Sequence, residues 1–401
     1  MKYSFIIIFL LAQVFSIQEV YSEKVQHGKI FSSERDTNQT ITPNQYKKGS
    51  DSDRIEQAIR EALERGVNSI QIPRYDEINQ KTIWLIDRAI LLPSDFTLVL
   101  NDCLVRLAPG AQDNIITNSG ARTKPLSQNE NIRIIGRGNA VLSGGLETHF
   151  NPPGDISGYR TIGILLNETQ NFTIEGIKME ETQAWAILAE GCAYGKIFDI
   201  DFHNSAKYPN QDGIDLNCCH DIMIENITGI TGDDMIALVG SRSDESLATS
   251  KDNGTATQRM TVGRTGEMTD DDIYNIFICN VKGTTVGNCA IIRLLNMDGV
   301  KMYNILINNI LDTSKIGGKG NSNAILIGDV RYWTIRQSKP GETSRIFINN
   351  VVSRANTVVQ VRGTLTDSIL DNIVGYGDNN QVVEYWDESQ VKNVKVDAHK
   401  F

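Results

Sequence analysis

From about residue 131 onward, apolar and polar positions alternate in short bursts that end in the same way: apolar, any, apolar, any, Asn or Gly, apolar. The pattern appears at residues 172–177 (FTIEGI), 222–227 (IMIENI), 276–281 (IFICNV), 305–310 (ILINNI) and 346–351 (IFINNV). Looser copies start at Ile132 and Ile369. A two-residue alternation is a strand with one face on a core. The Asn or Gly marks a bend, and stacked Asn side chains can hydrogen-bond from one copy to the next. The copies at 172 and 222 stand two coils of a solenoid apart. Larger gaps later require loops, chiefly at 241–270 and 329–345, and such insertions gather on one face of a solenoid. Asn-Gly or Asp-Gly turns between strand pairs are scarce, which disfavours a sandwich or propeller. The pattern predicts an all-β protein, a right-handed parallel β-helix.

One amphipathic helix precedes the strands. Asp51, Ser52 and Asp53 can cap it, Ile55, Ala58, Ile59, Ala62 and Leu63 recur at helical spacing, and Gly66 ends it. Strand-like pieces follow at 69–72, 82–86 and 96–100. A helix in this place suits a cap over the apolar end of a solenoid. Residues 23–50 are polar and aperiodic, so a flexible lead-in is expected there, with one β-helix domain over 51–401.

The first residues read differently. A short positive start, an apolar run over 4–17 and small or polar residues around Ser22 form a secretory signal peptide covering 1–22. Its apolar core is too short to span a bilayer, and no second such run follows. The expectation is an exported chain, periplasmic or secreted, that does not span a membrane. Net charge is −10, which argues against a nucleic-acid partner but allows an acidic sugar held at a local basic site. Six Cys at 103, 192, 218, 219, 279 and 289 follow neither a zinc pattern nor a small disulfide framework. They read as buried strand thiols, with a Cys279–Cys289 pair as the lesser alternative. Glycosylation-type triplets stand at Asn38, Asn167, Asn171, Asn226 and Asn253.

Chemistry concentrates between residues 210 and 238. Asp212 and the Asp233-Asp234 pair lie 233 − 212 = 21 residues apart. One β-helix coil takes roughly that length, so Asp212 is expected beneath the pair at about the inter-strand spacing of ~4.8 Å. Acids held that close cannot all ionise at ordinary pH values, and one is pushed up. Asp215 on the same stretch reads as a supporting group.

The segments NQDGID (210–215), CHDIMIEN (219–226) and GDDMIAL (232–238) resemble glycoside hydrolase family 28, the polygalacturonase group of pectin-lyase-like β-helices. Gln183-Ala184-Trp185 and the Asp53-to-Pro73 helix and strand are similar to that family's corresponding segments. The resemblance implies Asp233 as general acid, with Asp212 and Asp234 positioning and deprotonating water, and inversion at the anomeric carbon. The family's Gly-His-Gly after the acid pair has no counterpart, since 241–270 contains no His. Its Arg-Ile-Lys falls on Ile291, Ile292 and Arg293, leaving Arg293 to grip a substrate carboxylate.

Further substrate contacts are expected from His203, Lys207, Tyr208 and Trp185, with His220, Arg242 and Arg264 behind them. The resulting expectation is a cofactor-free enzyme acting on acidic poly- or oligosaccharide by hydrolysis. Two alternatives stand beside it: β-elimination or dehydration to a 4,5-unsaturated uronate at the same site, with Ca²⁺ on the carboxylates as a variant, and a non-catalytic glycan-binding β-helix.

Overall fold

The computed structural model describes residues 40–111, 113–123, 125–145, 161–208, 210–240, 271–286, 289–314, 322–328, 336–376 and 381–401. The expected signal peptide over 1–22, the 241–270 insertion with Arg242 and Arg264, and the triplets at Asn38 and Asn253 lie outside the described residues.

Every pairing between named strands is parallel, and each strand pairs with the equivalent strand of neighbouring coils. The result is two long sheets of 14 and 10 strands wound as a right-handed parallel β-helix. The inward side chains form one continuous apolar core running from Ile41 to Ile373, with Ile174, Ile197, Ile224, Ile278, Ile307 and Ile348 stacked at equivalent places in successive coils.

From Thr169–Glu180 to Leu365–Gly375 the larger sheet's main strands run 11 to 13 residues, such as Ala193–His203, His220–Thr231 and Ile273–Thr285. Each turns a corner within its length. The corner residue has positive φ: Asp199, Asn226, Asn280, Asn309, Asn350 and Asn372 all lie between 49° and 59°. Asn and Asp tolerate that conformation better than other non-glycine residues because the short side chain bonds locally. Here the amides also bond along the stack. Asn226 donates to Asp199 (2.9 Å), Asn280 to Asn226 (3.1 Å), Asn309 to Asn280 (3.1 Å), Asn350 to Asn309 (3.1 Å) and Asn372 to Asn350 (2.7 Å). These are the Asn of the recurring hexapeptide.

A second ladder, invisible in that pattern, runs along the strand starts. Asn171 donates to Asn131 (2.5 Å), Asn275 to Asp221 (3.0 Å) and Asn304 to Asn275 (3.2 Å), again at positive φ. Asn171 and Asn226 are thus committed to ladders and Asn167 is buried in a polar cluster with Glu190, so these three triplets serve the fold.

Several boundaries differ from expectation. The last copy of the hexapeptide starts at Ser368, not Ile369: the register pairs Ile348 with Leu370, and Ser368 takes the inward place. The coil of Ala193–His203 escaped detection because Gly195 stands at its first apolar place. A Cβ there would lie 2.2 Å from the Phe172 ring and 2.7 Å from Ile222, so the neighbouring side chains fill the space instead.

The helix spans Asp51–Glu64 and its N-cap is Ser50, which forms a reciprocal capping box with Asp53. It ends in a Schellman arrangement, Val67 N–H to Ala62 O and Gly66 N–H to Leu63 O, with Gly66 at φ 67°. The folded unit also begins before Asp51: Ile41 and Tyr46 are buried, Pro43–Gln45 forms a short 3-10 turn, and Tyr46 donates to Glu61 (2.8 Å). The lead-in therefore packs from Ile41 on.

Arg54, on the helix's inner face, is fully buried, bidentate to Asp76 (2.8 and 2.5 Å), bonded to Asp51 (2.6 Å) and 5.1 Å from the Trp84 ring centroid. All six Cys are free thiols, five of them buried. Among the described residues no helix is long and apolar enough to cross a membrane.

The ladder generates a test. Asn280→Ala removes bonds to the coils on both sides and puts a Cβ residue without a compensating amide at positive φ. A loss of about 2–3 kcal/mol is expected from the strain and the unmade bonds. Asn280→Gly relieves the strain and should lose less. Denaturant unfolding that ranks Gly below Ala in stability would contradict this account.

Candidate functional site

The acids are set by consecutive strands of the smaller sheet: Ile187–Glu190, Ile214–Asn217, Ile236–Gly240 and Ala290–Asn296. Ile214 pairs with Ile236, and Ile236 with Ile292. Ile214, Leu216, Ile236, Leu238, Ile292 and Leu294 point into the core, which leaves Asp215, Ala237 and Arg293 stacked on the outer face. The bends just before these strands carry Asp212, Asp233-Asp234 and Cys289, and Ala290 opens the last strand.

Two glycines make the bends close enough. A Cβ on Gly213 would lie 2.4 Å from the Met235 carbonyl, and one on Gly232 would lie 2.8 Å from Gln211 Cβ. Gln211 is fully buried; its carbonyl accepts from Gly232 and Asp233 N–H (2.9 and 3.2 Å), while its side chain donates to the Thr182 carbonyl (2.8 Å) and accepts from Tyr208 N–H (3.3 Å).

The offset between these coils is 236 − 214 = 22 residues, not 21. Gly213 N–H donates to the Asp234 carbonyl (3.0 Å), which carries the register into the bend and sets Asp212 level with Asp234. Asp233 stands one residue further round. The next coil is offset by 292 − 236 = 56 residues, which sets Ala290 level with Asp234 and Cys289 with Asp233.

Asp234 is tied at both oxygens: Ala290 N–H donates to Oδ1 (2.7 Å) and Arg293 Nη1 to Oδ2 (3.1 Å). Its own N–H donates to Asp233 Oδ1 (2.9 Å). Asp212 and Asp234 are 5% and 3% exposed. Oδ1 of Asp212 and Oδ2 of Asp215 are buried and meet no hydrogen-bond donor among the described residues.

Four carboxyl groups thus face one guanidinium. Burial pushes Asp212 well above the ordinary carboxylate range, reinforced by Asp215, Asp233 and Asp234 and opposed by Arg293. Burial does the same to Asp215, with Asp234 and Asp233 adding to it. Asp234 is also raised, chiefly by burial, with Arg293 holding it down. Asp212 and Asp215 act on each other although they are three residues apart, because Asp212 lies in the bend and escapes the strand alternation.

The other expected residues divide. Trp185 is adjacent: Ala186 N–H donates to the Asp212 carbonyl (3.0 Å), and the indole packs on an outer apolar cluster of Ile162, Leu165 and Leu188. Tyr208 is buried in the turn ahead of Asp212, with Lys207 Nζ 5.1 Å from its ring centroid. Arg293 is brought to the acids, where it forms an ion pair with Asp234 (3.1 Å). His203 is not brought in by any hydrogen bond among the described residues. It ends a strand of the larger sheet and bonds Asp201 (2.7 Å). His220 bonds Asp221 and stacks on Tyr274 at 4.7 Å, a structural place.

Sequence reasoning missed Cys289, Gln211 and the Ala290 amide as parts of the site. Asp233, Asp234 and Cys289 each offer a ligand atom, all within 4.8 Å of one another. Only the 56-residue register, hidden by the 241–270 insertion, aligns Cys289 with the acids.

Residues 160–396, well over half the chain, match Glycosyl hydrolases family 28. Polygalacturonase QRT2 of Arabidopsis thaliana is 25% identical over 246 residues, 58% of this chain and 53% of the relative, so the chain spans about half the length of that curated relative. The fold is similar to a hyperthermoactive exopolygalacturonase from Thermotoga maritima, with TM-score 0.60 and 14% identity over 90% of this chain and 92% of the other. It is also similar to a polygalacturonase from Erwinia carotovora ssp. carotovora, with TM-score 0.54 and 15% identity over 89% and 93%. With more than half of its residues matched by that family's model, this chain belongs to glycosyl hydrolase family 28.

Proposed function

We propose that the chain is an exported glycoside hydrolase that cleaves a uronate-bearing poly- or oligosaccharide of the polygalacturonan kind. The observation that carries this reading is the stacking of Asp212 level with Asp234, with Asp233 at their side and one guanidinium among four carboxyls. The substrate class is supported by family membership and by the polygalacturonases to which the chain is similar. Export is supported by the apolar run at 4–17.

Asp233, the least buried of the three, protonates the glycosidic oxygen as its bond to the anomeric carbon breaks. Asp212 and Asp234 orient a water on the opposite face and take its proton; their raised proton affinity makes them stronger bases than free carboxylates. The tie of Asp234 to Ala290 N–H and Arg293 fixes its oxygens in place for that water. Lys207 and Arg293 supply the positive charge a uronate needs.

Incubation with oligogalacturonides should give products that have gained water, with inversion at the new reducing end by NMR. Asp233→Asn should lower kcat about 10²- to 10⁴-fold. A product absorbing in the near ultraviolet as a 4,5-unsaturated uronate would replace hydrolysis with elimination.

Holding these acids together also opposes folding. A carboxyl whose folded pKa lies above its ordinary 3.8 keeps its proton longer in the folded state, so its contribution to stability falls as pH rises through that window. Asp212→Asn should therefore raise the apparent Tm by a few degrees at pH 8, on the order of 2 °C per kcal/mol relieved, and the gain should fade toward pH 4. A gain that grows toward pH 4 would contradict the electrostatic account.

A further inference from the structure

The bend carrying Cys289 lies one coil beyond the acid pair, and the mechanism above makes no use of its thiol. Cys289 Sγ and one oxygen each of Asp233 and Asp234 lie within 4.8 Å of one another. Cys289 is partly exposed and the other five cysteines are buried, so it is the thiol that solvent ions reach. An independent feature points to a cation: Oδ1 of Asp212 is buried without a donor among the described residues, and its carboxyl acts on Asp233, Asp234 and Cys289 together. Among the described residues, four carboxyls face one guanidinium, a negative excess that a divalent ion would offset.

We propose that Asp233, Asp234 and Cys289 form a binding site for a thiophilic divalent cation such as Zn²⁺ or Cd²⁺, whose occupation ties up the acid pair and blocks catalysis. The donor set decides the class of ion. One thiolate and two carboxylates suit a borderline or soft ion, whereas Ca²⁺ takes six or more oxygens and has no use for sulfur. Metal–sulfur and metal–oxygen bonds of about 2.3 and 2.1 Å set opposed donors up to about 4.4 Å apart, so small side-chain rotations close the site. Ala290 N–H and Arg293 each hold one oxygen of Asp234, and a carboxylate oxygen that accepts one hydrogen bond keeps a second lone pair for an ion. On binding, Cys289 releases its thiol proton to solvent and the sulfur lone pair forms the metal bond; nothing is oxidised or reduced.

Titration of the full chain with Cd²⁺ tests this. The wild type should take up one equivalent by calorimetry, develop a thiolate-to-cadmium charge-transfer band in the ultraviolet, and keep both in excess Ca²⁺. Cys289→Ser should lose the band and bind at least tenfold more weakly, while Cys279→Ser keeps both. Asp233→Asn should keep the band and bind at least tenfold more weakly; this variant decides the matter if Cys289→Ser fails to fold by circular dichroism. No uptake by the wild type, a band that persists in Cys289→Ser, displacement by Ca²⁺, or unchanged affinity in Asp233→Asn would each overturn the proposal.

Discussion

Coil-to-coil hydrogen bonding is the constraint on which this molecule rests. Parallel strands bond only to the coils before and after, so every coil must present the same outline at the same height. The corner positions are where that requirement is hardest to meet, because the backbone there enters the left-handed region. Asn and Asp meet it twice over, by tolerating the conformation and by passing an amide bond to the next corner, from Asp199 through Asn226, Asn280, Asn309 and Asn350 to Asn372. Once corners are stacked, the isoleucines behind them stack as well, and the core follows.

The same constraint produces the acid cluster. Asp212 and Asp234 are neighbours because the strands that follow them are bonded in register, and Gly213 lets the bend approach the next coil. Among the described residues, the protein has placed four acids around one cation, Arg293. The three buried ones, Asp212, Asp215 and Asp234, are destabilising as buried charges, and their raised proton affinities are the electrostatic sign of that conflict. A rigid stack of core strands supplies the surplus stability that tolerates it, which is the ordinary relation between a scaffold and a strained site.

Much of this was readable in the chain itself, and the unread parts have physical reasons. The hexapeptide exposes the solenoid because strand alternation and the corner Asn are both local signals. The ladder at Asn171, Asn275 and Asn304 was missed because its other members include Tyr194 and Arg345, which break the compositional signal while keeping positive φ. Gly195 hid a coil because its packing place is filled by Phe172 and Ile222 from the adjacent coils. The three acids were found by spacing, one residue off in period, since the turn length between coils is not legible from alternation. Arg293 was found as a cation near the site, but its partner is set by the position of Asp234 rather than by any motif. Cys289 needed a register across 56 residues, which no local count supplies.

The offsets along the smaller sheet run from 22 residues between Ile214 and Ile236 to 56 between Ile236 and Ile292, yet the bonded strands keep one pitch. Chain length between coils and distance in space are therefore separate variables here. Residues can be added or removed between paired strands while Asp212 and Asp234 keep the separation that their bonded strands set. Such an architecture lets connections lengthen or shorten in evolution without disturbing the acid cluster.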